Sequence, residues 1–122
     1  LRGASAGGLV PGYLRVYVQT AREHGATPVL LTGVCLRMFG TDGRLLPLLH
    51  EYAEATRAVA AETHTALIDM TLHTAEWLNG LGDVDSVPFY MPDNIHLTER
   101  GARVVAQIAA KELEGLGLLS EA

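Results

Sequence analysis

The sequence predicts an α/β fold with parallel strands, and three observations carry that expectation. Val29-Leu30-Leu31-Thr32 and Ala66-Leu67-Ile68 are short apolar runs without alternation, the pattern of parallel-sheet strands covered on both faces. Helical periodicity surrounds them, giving the order helix, strand, helix, strand with a right-handed crossover between the strands. Hydrophobic residues fill 48% of the 122 positions, enough core for one domain or part of one.

Residues 1–12, rich in glycine and small side chains and ending at Pro11-Gly12, read as a loop. Leu14, Tyr17, Val18 and Ala21 then recur at helical spacing, with Arg15, Gln19, Arg22 and Glu23 on a polar side. Gly25 is a C-terminal stop, so a helix is predicted over 13–24. Pro28 leads into the first strand. In the connection over 37–50, Asp42-Gly43 lies between Phe39 and Leu45-Leu46, which predicts a small hairpin or tight turn. Residues 51–63 form an Ala-rich helix with Tyr52, Ala55 and Val59 on one face, ahead of the second strand. A further helix is predicted over 72–81, with Leu72, Trp77 and Leu81 available for packing, then loop from Gly82 to Pro92. Thr98 caps a last helix over 99–114, whose apolar side holds Val105, Ile108, Ala109 and Leu113. Two strands are few for a doubly wound sheet, and apolar strand edges need cover, so either weaker strands escape this reading or, as is favoured, a preceding segment supplies the rest.

Nine Lys and Arg against 14 Asp and Glu give a formal charge of −5. That balance offers no broad surface for nucleic acid or an anionic membrane. No run approaches the roughly 18 apolar residues of a membrane span. Cys35 is the single cysteine, which excludes an internal disulfide framework without fixing the compartment. The chain opens on Leu1 with neither an initiator Met nor a signal segment.

The chemistry concentrates in Asp93-Asn94-Ile95-His96, directly before the last helix. A histidine can take a nucleophile's proton and return it to a leaving group, while a carboxylate fixes its tautomer. A turn at this spacing can set Asp93 beside His96; the same spacing also serves plain turn structure and helix capping. Ligands in open parallel sheets bind beyond the carboxyl ends of the strands, where the loop after Thr32 and the segment after Ile68 emerge. The turn at Asp93 is expected to converge on that end.

Several rivals share the sequence. Gly3-Ala4-Ser5-Ala6-Gly7 fits the G-x-S-x-G elbow, and Ser5, Asp69 and His96 follow the Ser-Asp-His order. The elbow needs a strand before it and a helix directly after it; here only Leu1-Arg2 precede and Gly7-Gly8 with Pro11 follow, so a small-residue loop is expected. Ser86 and Ser120 have less context still. Asp69, at a strand exit, serves either to cap the next helix or to support the site, the structural use being favoured. Asp69, His73 and Glu76 share helical spacing and nominate a divalent ion, on three ligand types with no further His or Cys motif. His24 sits near a helix C-terminus, where an imidazole is favourable; His50 and His64 flank the Ala-rich helix. Tyr13, Phe39 and Tyr90 serve either a carbohydrate cleft or the core.

From about Pro11 to Leu116 the sequence resembles the SGNH or GDSL hydrolase family, in its rhamnogalacturonan acetylesterase-like branch. The resemblance rests on Gly12-Tyr13-Leu14, on Ala21 through Thr32, on Tyr52-Ala53-Glu54-Ala55 and on Ala66-Leu67-Ile68-Asp69-Met70. Asp93-Asn94-Ile95-His96-Leu97-Thr98-Glu99-Arg100-Gly101-Ala102 looks like the family's last catalytic block. The resemblance implies a flavodoxin-like, partial three-layer α/β/α sandwich, with residues 1–122 as the C-terminal portion of a single domain. It implies that Asp93 is the triad acid and His96 the general base, with no organic cofactor or metal. The family's Gly-Asp-Ser nucleophile block, and the glycine and asparagine blocks of its oxyanion hole, have no convincing match. Loss of even one such donor costs about 3–4 kcal/mol in the transition state, so this chain alone is expected to lack esterase activity. Related enzymes carry a basic residue where Arg37 stands, after a Thr-Pro or Ser-Pro start. Here Gly33 replaces the proline and Leu36 one arginine of a frequent pair, leaving Arg37 a place beside a sugar, a supporting role or a plain turn position.

The implied substrate is an acetylated, pectic polysaccharide or a small ester, and secretion follows from the resembled branch alone. The alternatives are an esterase of another acyl ester, a metal-binding module, and a non-enzymatic interaction fragment. The last would pair with a missing N-terminal half, or with itself, through an exposed sheet edge.

Overall fold

The computed structural model describes residues 8–118. In chain order the elements are α1 (Leu9–Glu23), β1 (Val29–Leu31), α2 (His50–Glu62), β2 (Ala66–Ile68), α3 (Met70–Asp85), a 3-10 turn (Val87–Phe89) and α4 (Glu99–Gly115). They divide into two units, one of residues 8–33 and Leu49–Asp69, the other of Val34–Leu48 and 70–118.

In the first unit β1 and β2 pair in parallel, with Leu30 opposite Leu67, as the sequence predicts. Val18, Leu30, Val59 and Ala60 form the core, flanked by Leu14 and Leu67. α1 begins at Leu9, inside the span read as loop. Pro11 falls in the first turn, where the helix needs no N–H from it, so the proline is no obstacle. The helix ends as predicted. Gly25, at φ +75°, places the Ala26 N–H on Ala21 O at 2.9 Å and its own N–H on Arg22 O at 3.1 Å, a Schellman closure.

α2 is turned by about one residue from expectation. Ala53, Thr56, Val59 and Ala60 are buried while Tyr52 is exposed. Small alanines let the helix approach the sheet, and the Thr56 hydroxyl is satisfied on Tyr52 O at 2.9 Å. Among the described residues β1 is covered on the face of Leu30, which is buried, while Leu31 is 50% exposed.

In the second unit Cys35, Leu78 and Tyr90 are buried together, packed by Phe39, Leu45, Ala75, Trp77, Phe89 and Leu97. The hairpin predicted around Asp42-Gly43 is present, with Phe39 bridged antiparallel to Leu45. The Asn79 side chain, on α3, accepts the Leu45 N–H at 2.8 Å. α3 buries Met70, Thr74 and Leu78 at every fourth position. Leu72, expected inside, is exposed. The helix starts two residues before prediction and runs past Gly82, where φ +84° makes a kink. Most of the stretch read as loop is therefore helical, ending in the 3-10 turn. Phe89 meets Trp77 edge-on at 5.2 Å, and the Arg100 guanidinium lies 5.1 Å from its ring centre. Thr98 caps α4 as predicted, accepting the Gly101 N–H at 3.3 Å. Val105, Ile108, Ala109 and Leu113 are only half-buried; Gly101 is the buried residue of α4.

Candidate active site

The segment leading into α4 folds back on itself. Tyr90 bridges Leu97 antiparallel, the Met91 N–H donates to His96 O at 2.7 Å and the Asn94 N–H to Met91 O at 2.9 Å. Asn94 completes the bend at φ +61°, a left-handed conformation that asparagine tolerates better than most residues. Within this turn Asp93 uses both carboxylate oxygens. Oδ1 accepts the N–H of Ile95 at 2.9 Å and of His96 at 3.0 Å; Oδ2 meets His96 Nδ1 at 2.5 Å. Both side chains reach solvent, His96 being 77% and Asp93 43% exposed.

Electrostatics give the pair a direction. The Asp93 carboxyl is pulled from 3.8 to about 2, first by its bond to the His96 ring and then by the two backbone N–H donors. Near neutral pH it is therefore ionised, and the shared proton resides on Nδ1. In the neutral ring this leaves the lone pair on Nε2, which has no hydrogen-bond partner among the described residues. An imidazole held in this tautomer can accept a proton from one group and pass it to another.

Arg37 lies in the same unit. Its backbone N–H donates to Asn94 O at 2.9 Å and its Nε to Asn94 Oδ1 at 3.0 Å. Nη1 donates to Asp83 O at 2.6 Å, Asp83 Oδ1 at 2.7 Å and Ser86 Oγ at 3.2 Å. A cavity of about 290 Å³ lies alongside, lined by Arg37, Val87, Tyr90, Met91, Pro92 and Asn94. Sequence analysis gives Asn94 and Asp83 no role of their own and weighs Ser86 only as a nucleophile with little context. An asparagine directly after a turn aspartate was the one readable sign, since it fits a left-handed position.

The remaining sequence candidates are accounted for locally. Ser5 and Ser120 lie outside the described residues. Ser86 is fully buried, its Oγ donating to Asp83 O at 3.2 Å. Asp69 belongs to the first unit, where it takes Arg57 Nε on Oδ2 at 2.8 Å and Arg57 Nη2 on Oδ1 at 3.0 Å. Thr32 Oγ1 donates to the same carboxylate at 2.8 Å, so both strand exits and α2 are tied together. His73 pairs instead with Glu112 at 3.2 Å. Among the described residues no group of three His, Cys, Asp or Glu is placed to hold a metal ion, which removes the Asp69, His73 and Glu76 nomination. Phe39 packs against the core of the second unit, and Tyr90, buried in that core, also contributes to the lining of the cavity beside Arg37. The Tyr90 hydroxyl donates to Cys35 O at 2.5 Å, and burial pushes it up to about 12. His24 Nδ1 lies 2.8 Å from Thr20 O at the end of α1. No helix among the described residues is long and apolar enough to cross a membrane.

In sequence and in fold the chain resembles the SGNH/GDSL hydrolases, in their rhamnogalacturonan acetylesterase-like branch. It is 34% identical over 120 residues to the rhamnogalacturonan acetylesterase RhgT of Bacillus subtilis strain 168, covering 87% of this chain and 52% of RhgT. To YesY of the same organism, a probable rhamnogalacturonan acetylesterase, it is 32% identical over 111 residues, covering 87% of this chain and 51% of YesY. The chain thus spans about half the length of the curated relatives it matches. No family model matches the sequence. The crystal structure of the Bacillus subtilis protein YxiM superposes with a TM-score of 0.80 at 23% identity, covering 91% of this chain and 32% of that one, which establishes the α/β fold.

Proposed function

We propose that the intact domain is a carbohydrate O-acetylesterase in which His96 is the general base and Asp93 the acid that orients it. The observation that carries this reading is the 2.5 Å contact of Asp93 Oδ2 with His96 Nδ1, with Nε2 left facing solvent. The relatives' names supply the substrate class, an acetyl ester on a pectic polysaccharide. In the reaction, Nε2 takes the proton of a serine hydroxyl from a block preceding these residues. The serine oxygen adds to the acetyl carbonyl, and the imidazolium then gives its proton to the departing sugar oxygen. Water, deprotonated by the same Nε2, releases acetate and restores the serine.

The test is hydrolysis of 4-nitrophenyl acetate and acetate release from acetylated pectin. A chain carrying the serine block should turn over both, and His96→Ala should reduce kcat by about 10⁴-fold or more. The 122-residue chain alone should show no turnover. Activity indifferent to His96→Ala would refute the assignment; an acyl preference other than acetyl would keep the mechanism and change the substrate.

A second reading is favoured by one observation. Leu9, Tyr13, Val16 and Tyr17 are all exposed and fall on one face of α1, which gives that helix an apolar side pointing away from its own core. This supports an interaction role, with a preceding half of the domain or a second copy as occupant. Gel filtration decides: a strictly monomeric chain at high concentration excludes self-association, and a concentration-dependent dimer supports it.

A further inference from the structure

We propose that Arg37 is the positioning residue of the Asp93–His96 pair, bracing through Asn94 the turn that carries both side chains. The inference rests on the reading of that pair as the site's acid and base. Arg37 grips Asn94 twice, by its main-chain N–H to the carbonyl at 2.9 Å and by Nε to Oδ1 at 3.0 Å. Its other end is anchored on Asp83 and Ser86 at the end of α3, so one guanidinium joins the helix end to the turn. The side chain is only 13% exposed, and Ser86 is fully buried, which makes the anchorage stiff.

What Asn94 does for the pair follows from chain geometry. Its left-handed φ of +61° determines where the next two N–H groups point, and those are the two donors to Asp93 Oδ1. If Asn94 relaxes to an ordinary φ, both N–H groups swing off the carboxylate and Oδ2 loses its line to Nδ1. The Arg37 charge faces the Asp83 carboxylate at 2.7 Å, so the guanidinium acts as a brace rather than as a receptor for an anion.

The experiment uses the isotope-labelled 122-residue chain and two NMR readouts: the His96 ring tautomer from its ¹⁵N shifts, and the Asp93 carboxyl titration from its ¹³C shift. In Arg37→Met the Nδ1–H form should lose its dominance, and Asp93 should titrate upward from about 2 toward 3.8, with helical circular dichroism retained. Arg37→Lys should not rescue either readout, because one ammonium cannot reach both Asn94 and Asp83; full rescue by lysine would reduce the effect to charge and overturn the brace. Asn94→Gly keeps the left-handed turn accessible while deleting Oδ1, so it should shift both readouts even if Arg37→Met unfolds. Wild-type values in folded Arg37→Met and Asn94→Gly would overturn the inference and leave the pair intact. A parent chain that already behaves like Asp93→Asn in its His96 tautomer would instead refute the pair itself.

Discussion

Gly101 offers the sharpest test of how the second unit is assembled, because two physical effects of one methyl group oppose each other there. Gly101 lies in the first turn of α4, and replacing a helical glycine by alanine ordinarily stabilises by up to ~1 kcal/mol. Yet a Cβ at Gly101 would sit 2.0 Å from Phe89 O and 2.9 Å from Phe89 C, so the 3-10 turn or the helix must retreat. Phe89 O accepts the Thr98 N–H at 3.1 Å and Pro88 O the Thr98 hydroxyl at 2.8 Å. Retreat loosens both, at about 1 kcal/mol each, on top of about 1–3 kcal/mol for overpacking. After the helical gain, Gly101→Ala should cost about 2–4 kcal/mol. At about 4 °C per kcal/mol for a chain of this size, the thermal midpoint followed by circular dichroism should fall by about 8–16 °C. Gly80→Ala, in α3 with nothing within 4 Å of the added methyl, is the control and should stabilise by about 0.5–1 kcal/mol. A Gly101→Ala chain as stable as the parent would refute the close approach of α4 to the Phe89 carbonyl.

Other consequences are quicker to state. The Asp93 carboxyl is depressed from 3.8 to about 2 in the folded chain, so its contribution to stability is complete above the unfolded value and is lost as pH falls from 3.8 toward 2. Acid titration of the folded chain should show that loss, and Asp93→Asn should flatten it. His64 occupies a left-handed position at φ +52° at the end of α2, where its side chain is exposed. His64→Gly should therefore raise stability by about 0.5–1 kcal/mol in urea unfolding. Arg57 grips Asp69 with two nitrogens at 2.8 and 3.0 Å, and Arg57→Met should cost about 1–3 kcal/mol; no loss would mean that the strand exits are held by other contacts.

The elements were legible where local signals are strong. Gly25 stopped α1 and Thr98 started α4 because cap chemistry is local, and unalternating apolar runs identified both strands. Helix rotation was less legible. Helical spacing puts Tyr52 and Leu72 on packing faces, yet Ala53 and Thr74 are the buried residues, because closeness of approach favours the smaller side chain and backbone-bonded hydroxyls can be buried cheaply. The start of α1 was hidden by Pro11-Gly12, a pair that usually marks a turn but is harmless in a first helical turn. At the candidate site, Asp93 and His96 were readable because they lie three residues apart in one turn. Arg37 was readable only as an open question, since its partners stand 46 to 57 positions away and nothing in the local sequence announces them.

That difference in sequence distance bears on how such a site divides its labour. Every hydrogen bond that sets the Asp93 carboxylate comes from within three residues of it, and the contacts that shape the turn around it come from the same unit. The orientation of the imidazole we propose as base is thus set within one compact piece of chain. On the proposed reading, a serine brought from elsewhere need not organise the imidazole; it needs only to arrive within reach of Nε2 beside donors for the oxyanion. Pair geometry and turnover are therefore separable quantities, the first measurable on these residues alone and the second dependent on the segment that supplies the serine. Restoring activity by adding that segment, with the His96 tautomer unchanged between the short and long chains, is the outcome this separation requires. A tautomer that appears only in the longer chain would show that the nucleophile segment builds the base as well.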